Sequence, residues 1–267
     1  MMTELHYGNT NTYYIQGTSG ALLVDTGWAG TFPAFLKALG EHHLRLQEIR
    51  YLLITHFHPD HMGIAQNIAE NGVTIAAADV QQPYLHAADE ILLRDETLHF
   101  QPIDDTKIRL VPIAESRAFL AELGLEGELL HTPGHSDDSI SLWLDKEKAL
   151  FVGDLNPLYE LELHKGTQIG DTWEKLLKRK PRTVYYGHAK PAALRRTLLG
   201  KTVLPEHPVH AEIREITGMI DAGFSAEEIH SATGSDMTFI QDVARMYLTH
   251  PGVSVQGILD RIEIKGR

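Results

Sequence analysis

The chain has 267 residues, 43% hydrophobic and 22% charged, which suits a folded globular protein with a sizeable core. Its formal net charge of −12 argues against nucleic acid as the main partner, and the absence of cysteine excludes disulfides and thiolate metal ligands. No apolar run is long enough to span a membrane and the first residues lack a signal-peptide pattern, so we expect a cytoplasmic protein.

The first part of the chain alternates predicted strands with predicted helices. Short apolar runs bounded by turn residues indicate the strands, and apolar residues at helical spacing between start and stop signals indicate the helices. The predicted strands lie at residues 10–16, 21–25, 51–54, 73–77 and 107–112, and the predicted helices at 31–43, 60–71, 79–93 and 116–123.

A run of histidine and aspartate directly follows the strand at 51–54. It has the pattern His-x-His-x-Asp-His, with the polar residues His56, His58, Asp60 and His61. Side chains alternate in an extended chain, so His56, His58 and Asp60 are predicted to project to one side. Pro59 should keep His58 out of helical conformation. His61, across the bend into the next helix, is predicted to point away from the His56/His58 pair, so that one loop can serve two metal ions.

Four further histidine and aspartate residues also lie just after predicted strands. They are Asp25, His135, Asp154 and His188. Loops at strand ends are held by a rigid sheet and commonly carry functional sites. We therefore expect these residues and the histidine loop to form one site. Asp25 ends the strand predicted at 21–25. Further along the chain, strands are predicted at residues 129–131, 139–144, 149–152 and 183–186, and a helix at 171–180.

On these residues the chain resembles the metallo-β-lactamase superfamily, over about residues 3–190. The resemblance implies an α/β fold, a four-layer αβ/βα sandwich of two mixed sheets with helices outside and the site along one sheet edge. Asp60-His61 resembles the glyoxalase II and lactonase branches more than the antibiotic-destroying enzymes. The matching segments are Thr55-His56-Phe57-His58-Pro59-Asp60-His61, Thr132-Pro133-Gly134-His135-Ser136, Phe151-Val152-Gly153-Asp154, Tyr186-Gly187-His188 and Asp25-Thr26-Gly27.

The resemblance also implies a role for each ligand residue. Asp154 would bridge two divalent metal ions, and Asp60 could also pass a proton to the leaving group. Asp25 would orient ligands through hydrogen bonds, although a turn-capping aspartate is an equal alternative. Zinc suits imidazole and carboxylate ligands, and iron or manganese fits the same atoms. The first ion would be held by His56, His58 and His135, and the second by Asp60, His61 and His188.

Two cations that share a water lower its pKa and produce hydroxide at neutral pH, which can attack a carbonyl or phosphoryl centre. Tyr159, in the segment that lines the pocket in related folds, could donate to an oxyanion or only pack. A basic cluster could bind an anionic substrate tail, or could reflect solvation and the helix C-terminus. Its members are Lys175, Lys178, Arg179, Lys180 and Arg182.

Residues 205–267 are predicted to form a helical extension of the catalytic domain at 1–204. Helices are predicted at 211–220, 226–233 and 237–248, with a capping box at Ser225 and Glu228, and the last two resemble a helix-turn-helix. Five basic and ten acidic residues leave a net charge of −5, which opposes DNA binding. The apolar residues of this extension exceed what three helices can bury, so we expect a cap over the site or a homodimer contact. These residues are Phe224, Ile229, Phe239, Ile240, Val243, Met246 and Tyr247.

The leading hypothesis is a dinuclear metal-dependent hydrolase that attacks an ester, thioester or lactone carbonyl of a small-molecule substrate with a metal-bridging hydroxide. One alternative is a phosphodiesterase or ribonuclease of the same superfamily. Another is a metal-binding regulatory protein with a partner-binding tail. A complete set of ligands argues against this last alternative, because an idle site has no physical reason to keep them.

Overall fold

Residues 2–196, 202–203, 208–250 and 252–265 are described by the structure, which is a computed structural model. Their contacts divide the chain into two units, Met1–Leu204 and Pro205–Arg267. The boundary expected from the sequence falls at residues 204–205, which lie outside the described residues.

The first sheet of the N-terminal unit has six strands in sequential order. Neighbouring strands are antiparallel from β1 to β3 and parallel from β3 to β6, so the C-terminal ends of β3 to β6 meet at one edge. The first strand was not predicted, because its four residues include only two apolar ones. The strands are β1 Met2–Leu5, β2 Thr12–Gln16, β3 Ala21–Val24, β4 Ile49–Leu53, β5 Thr74–Ala78 and β6 Ile108–Val111.

The second sheet has five strands in the order β11-β10-β9-β8-β7. Only β9 and β10 are parallel, and the other neighbours are antiparallel. Two further strands, β12 Arg195–Arg196 and β13 Thr202–Val203, pair with each other. The strands of the second sheet are β7 Gly127–His131, β8 Ile140–Leu144, β9 Ala149–Phe151, β10 Thr183–Tyr185 and β11 Ala192–Ala193.

Two of the predicted helices are broken in the structure. The predicted helix at 60–71 is two short helices separated at Gly63, where an added Cβ would lie 2.3 Å from the backbone nitrogen of Ala29. The predicted helix at 79–93 begins as a 3-10 helix, Asp79–Tyr84, which contains Pro83, and becomes α-helical only from Asp89. The α-helices are α1 Phe32–Glu41, α2 Pro59–Met62, α3 Ala65–Glu70, α4 Asp89–Leu93, α5 Ser116–Ala121 and α6 Gln168–Leu177.

The remaining helical turns of this unit are short 3-10 helices in the connections. They are Leu46–Glu48, Glu96–Leu98, Asp105–Lys107, Ile113–Glu115 and Leu158–His164.

Three layers of buried side chains show how the sheets and helices stack. The first lies between one face of the first sheet and helices α1 and α3, the second between the two sheets, and the third between the second sheet and α6. Residues along a strand alternate between layers: Leu22 and Leu53 face the second sheet, whereas Leu23 and Leu52 face the helices. The predicted αβ/βα sandwich is confirmed.

The C-terminal unit contains one helix more than predicted. In the predicted capping box, Ser225 Oγ accepts from the Glu228 backbone N–H and the Glu228 carboxylate accepts from that of Ser225. The expectation of excess apolar surface is wrong for most of its residues, because Ile229, Ile240, Val243 and Met246 are buried among this unit's own helices. Phe224 remains 48% exposed. The helices are α7 Pro208–Asp221, α8 Ala226–Thr233, α9 Met237–Thr249 and α10 Val255–Lys265.

Across the described ranges, none of the helices combines the length and apolar composition needed to cross a bilayer.

Candidate metal centre

The polar residues singled out in the sequence lie at the C-terminal ends of strands. Asp25 and His56 follow the parallel strands β3 and β4, and Asp154 and His188 follow the parallel strands β9 and β10. Parallel strands end at the same edge, which is where open α/β sheets commonly bind ligands. His135 lies in the connection between β7 and β8.

All seven residues expected to hold metal come together in three overlapping groups. Within each group, one ligand atom from every residue lies within 4.8 Å of the others. His56 belongs to two of the groups, and so does His61. The groups are His56 with His58 and His135, then His56 with His61 and Asp154, then Asp60 with His61 and His188.

Asp154 lies between the first and the last of these groups. Its Oδ1 is 3.2 Å from His61 Nε2, and its Oδ2 is 3.3 Å from His188 Nε2. The same Oδ2 lies 3.7 Å from His135 Nε2 and 3.9 Å from His56 Nε2. The Oδ2 atom thus lies near rings of both groups, so the Asp154 carboxylate could be shared by two cations.

The path of the histidine loop differs from the prediction in two respects. His58 is extended, with φ −77° and ψ 153°, as Pro59 requires, but the helix begins at Pro59 itself. Asp60 therefore lies in the helix, with its carboxylate 3.0 Å from His188 Nε2. The prediction that His61 points away from the His56/His58 pair is wrong: the His61 and His56 rings are only 4.1 Å apart.

Asp25 fixes two of the ligand rings. Its Oδ1 accepts from the Thr55 backbone N–H at 2.7 Å, and its Oδ2 accepts from the Thr55 hydroxyl at 2.8 Å and lies 3.0 Å from His61 Nδ1. Because the Thr55 hydroxyl donates to Asp25, its oxygen is left to accept from His56 Nδ1 at 3.1 Å. These hydrogen bonds assign the proton of each ring to Nδ1, so that Nε2 faces the centre.

Two buried residues that the sequence did not single out hold the ligand loops together. Gln81 Nε2 lies within 3.0 to 3.1 Å of the carbonyls of Ile54, Thr55 and Asp138. The Asp138 carboxylate accepts from the Phe57 backbone N–H at 2.7 Å. Both residues thus connect the histidine loop to the connection that carries His135. Their separation in sequence left no local pattern from which these contacts could be found.

The ring of His188 is also fixed by a hydrogen bond to the backbone. Its Nδ1 donates to the backbone carbonyl of Asn9 at 2.8 Å, which leaves its Nε2 facing Asp60 and Asp154. Asn9 directly precedes the strand predicted at residues 10–16, and no local pattern in the sequence predicted this contact.

The carboxylates control the protonation of the second group. Burial disfavours a charged His61, but Asp154 and Asp25 outweigh burial and raise its pKa to about 10. Burial also disfavours a charged His188, but hydrogen bonds to Asp154 and Asp60 raise its pKa to about 11. Burial opposes ionisation of Asp154, yet the His61 and His188 rings hold its pKa well below the ordinary value. A cation in this position would replace the protons.

In the first group the pKa values of two histidines are lowered rather than raised. Burial, reinforced by the neighbouring His61 ring, lowers the pKa of His56 well below its ordinary value. Burial is also the main cause of the lowered pKa of His135. Both rings are therefore neutral at pH 7, which is the form that binds metal.

The residues present fit divalent metal ions. His56 is fully buried, and among the described residues its Nε2 has no hydrogen-bond partner. A buried polar atom without a partner costs free energy unless an unseen group satisfies it. Two ring nitrogens of the first group, His58 Nδ1 and His135 Nε2, also lie only 3.0 Å apart, close enough to be ligands of one cation. Imidazole and carboxylate ligands suit zinc, iron and manganese.

Gly187 is required by the close packing at the centre. A Cβ at this position would lie 2.3 Å from Asp154 Oδ1 and 2.7 Å from His61 Cε1. Neither neighbour can move without changing the ligand arrangement, so any larger residue would displace part of the centre.

The predicted substrate residues lie outside these groups. Tyr159 is half-buried in the 3-10 helix Leu158–His164, which follows Asp154, and its oxyanion role stays a prediction. In the basic cluster Arg179 pairs with Glu128, so its charge is matched within the fold. The other four cations of this cluster are exposed.

Comparisons with known proteins agree with this geometry. A family model described as "Metallo-beta-lactamase superfamily" matches residues 7–188. The crystal structure of a metallo-beta-lactamase family protein from Thermus thermophilus superposes with a TM-score of 0.54 at 21% identity, covering 72% of this chain and 74% of that one. At this identity the likeness concerns the fold alone.

Curated relatives cover the same part of the chain. A beta-lactamase-like protein 2 homolog from Drosophila melanogaster is 31% identical over 189 residues, 67% of this chain and 58% of that protein. An atrochrysone carboxyl ACP thioesterase from Claviceps purpurea is 30% identical over 153 residues, 55% of this chain and 40% of that protein. The chain thus spans about half the length of these relatives. The family match and the ligand groups together show that this chain belongs to the metallo-beta-lactamase superfamily.

Proposed function

We propose that the chain is a metal-dependent hydrolase of an acyl compound, with a thioester, ester or lactone carbonyl as the reacting group. The observation that carries this proposal is the convergence of seven ligand residues on two adjoining positions with Asp154 between them. A structural metal site would need only one closed set of ligands, whereas two adjoining positions are typical of hydrolytic centres.

The ligand residues would hold two cations, which activate water and polarise the carbonyl oxygen when bound. Asp25 and Thr55 orient the rings of His61 and His56, so that the Nε2 atoms face the centre without rearrangement. Asp60 is held ionised: burial opposes this, but the hydrogen bond from His188 lowers its pKa. Its carboxylate is 17% exposed, so we assign it to proton transfer toward the leaving atom.

Thioesters are the first substrates to test. The relative from Claviceps purpurea is named as an ACP thioesterase, although it shares only part of its length with this chain. The expected likeness to the glyoxalase II and lactonase branches also supports acyl substrates, because no cysteine is available to form a thiolate-bearing second position. We propose zinc as the native metal, with iron and manganese as the ions to compare.

We also propose that a small molecule or a small acyl group is the substrate, and that nucleic acid is not a partner. The net charge of −5 on the C-terminal unit supports the proposal that nucleic acid is not a partner, because it would repel phosphates. Phe224, which is exposed on this unit, is an apolar side chain available to a second copy of the chain. Light scattering across a concentration series tests the homodimer, and a Phe224→Ser variant that is monomeric while the wild type is dimeric would support it.

A substrate panel tests the proposed activity. Apo-protein is reconstituted with zinc, manganese or iron and is assayed on acyl thioesters, aryl esters, lactones, β-lactams and a phosphodiester. We expect acyl substrates to be hydrolysed only after metal is added, and Asp154→Asn to lose this activity. Asp145→Asn, which alters a carboxylate paired with Arg117 outside the ligand groups, is the matched control. Hydrolysis of the phosphodiester alone would favour the phosphodiesterase alternative and overturn the proposal.

A further inference from the structure

Three consecutive residues near the N-terminus contact the second ligand group, Asp60, His61 and His188, or the backbone that carries it. The carbonyl of Asn9 accepts from the His188 ring at 2.8 Å. The buried hydroxyl of Thr10 donates to the backbone carbonyl of Asp60 at 2.8 Å. The backbone N–H of Asn11 donates to the carbonyl of Gly187 at 2.7 Å. The segment 9–11 therefore contacts two ligands that are 128 positions apart in the chain.

The Asn11 side chain binds the backbone on both sides of His188. Its Nδ2 donates to the carbonyl of Tyr186 at 3.0 Å and to that of Ala189 at 3.0 Å. Both protons of the carboxamide are thus used, one before the ligand and one after it. A hydroxyl from β2, that of Tyr13, donates to the same Tyr186 carbonyl at 2.7 Å.

His188 depends on such contacts because no regular element holds it. It lies between β10, which ends at Tyr185, and β11, which begins at Ala192. Besides the bonds to Asn11, the Tyr13 hydroxyl and the Asn9 carbonyl described above, the Gly187 N–H donates to the Gly153 carbonyl at 2.7 Å. A ring on a short irregular connection keeps its position only if the backbone on both sides is fixed.

We propose that Asn11 is a positioning residue for the second metal position, and that it acts by fixing the connection that carries His188. The inference rests on the proposed metal centre but not on the identity of the substrate. Without the carboxamide, residues 186–189 would relax toward solvent and His188 Nε2 would leave its place beside Asp60 and Asp154.

Loss of the Asn11 carboxamide should weaken metal binding at the second position only. The first ligand group, His56, His58 and His135, lies on loops anchored elsewhere, by Thr55, Asp138 and Gln81. Loss of the Asn11 carboxamide leaves all of these anchors in place. A general loss of packing would instead weaken both positions together and lower the stability of the whole unit.

Metal titration of the full-length apo-protein tests the proposal without any substrate. Zinc binding is followed by calorimetry for wild type, Asn11→Ala and Asn11→Asp. Partners of this kind are worth about 10- to 100-fold in metal affinity. We expect Asn11→Ala to weaken the second zinc by about that factor and to leave the first unchanged. Asn11→Asp should weaken it further, because a carboxylate oxygen would then face two carbonyls that are now 3.0 Å away.

A matched control and a second variant complete the test. Asn67→Ala removes a carboxamide that donates to Gln101 at 3.0 Å outside the centre, and it should bind both ions as the wild type does. Thr10→Val, which keeps the shape of the side chain, should also weaken the second ion alone. Equal weakening of both ions, or no weakening in the Asn11 variants, would overturn the proposal. A wild type that binds two ions but hydrolyses no acyl substrate would refute the proposed function and leave this inference standing.

Discussion

Three of the five ligand rings of the centre are held on the side that faces away from the proposed metal positions. Asp25 lies against His61, Thr55 against His56 and the Asn9 carbonyl against His188. Such partners set which ring nitrogen carries the proton and limit rotation of the ring. At the scale of residues, the geometry of the centre therefore depends on groups that never contact a cation.

Replacing Asp25 tests this dependence. In Asp25→Asn an NH2 group replaces one carboxylate oxygen. This group only donates, so it cannot accept from the Thr55 hydroxyl and from His61 Nδ1 as the oxygen does. We expect zinc affinity to fall by about 10- to 100-fold, as for other partners of metal ligands. Calorimetric titration measures it, with Asp242→Asn, at an exposed ion pair with Arg245, as the control. An affinity equal to that of the wild type would show that Asp25 only caps a turn.

Gly187 allows a second test at this scale. In Gly187→Ala the new methyl group would lie 2.3 Å from Asp154 Oδ1, so we expect loss of the second metal ion and of most hydrolytic activity. Elemental analysis after dialysis measures the metal.

Gly40→Ala is the matched control for this change. Gly40 is inside α1 and has nothing within 4 Å of an added Cβ, so alanine should stabilise the protein by about 0.5–1 kcal/mol without loss of metal. A Gly187→Ala protein with two ions and full activity would show that the centre tolerates this displacement.

At the scale of elements, the position of the centre was predictable and its internal arrangement was not. The strand before His56 and the strands before Asp154 and His188 were visible as apolar runs, and strand ends place residues at a sheet edge. The orientation of His61 was mispredicted because the bend starts at Pro59 and returns the chain toward His56. The contact between Asn9 and His188 joins residues 179 positions apart in the sequence, and no local pattern predicts such a contact.

Helix α5 is joined to the first sheet by an ion pair whose effect depends on pH. The guanidinium of Arg109, on β6, hydrogen bonds to Glu122 and lowers the pKa of that carboxyl from 4.5 to about 2. The stabilisation is therefore complete above pH 4.5 and is lost as the pH falls toward 2.

Because the Glu122 side chain is 34% exposed, we expect Glu122→Gln to cost less than about 1 kcal/mol at pH 7. Thermal unfolding of both proteins from pH 7 to pH 3 measures the difference in Tm, which should narrow as the pH falls. A difference that widens in acid would contradict this assignment.

The capping box of α8 can be tested within the C-terminal unit. Ser225→Ala removes the hydroxyl that accepts from the Glu228 N–H, which should cost about 1 kcal/mol. Hydrogen exchange of the α8 amides measures the loss locally. Ser231→Ala, which removes a hydroxyl bonded to the Glu227 carbonyl within the same helix, should change exchange much less. Equal effects of the two substitutions would show that the cap contributes nothing specific.

At the scale of the whole molecule, the sequence predicted the layers but not the full helix count. The resemblance to the metallo-β-lactamase superfamily implied the two facing sheets, and most of their strands were visible in the sequence as short apolar runs. The last helix, Val255–Lys265, was not predicted, although Val255, Ile258, Leu259 and Ile262 recur at the spacing typical of a helix. That helix supplies Ile258 to the core of the C-terminal unit, which explains why less apolar surface remains exposed than three helices would leave.

The proposed hydrolysis depends on two metal ions that act together in the N-terminal unit. Elemental analysis of metal-loaded protein, with thioester hydrolysis measured on the same samples, tests this most directly. We expect two ions per chain at saturation, loss of hydrolysis when a chelator removes them, and recovery when metal is returned. A single ion at saturation, or hydrolysis that persists in fully metal-free protein, would contradict the account.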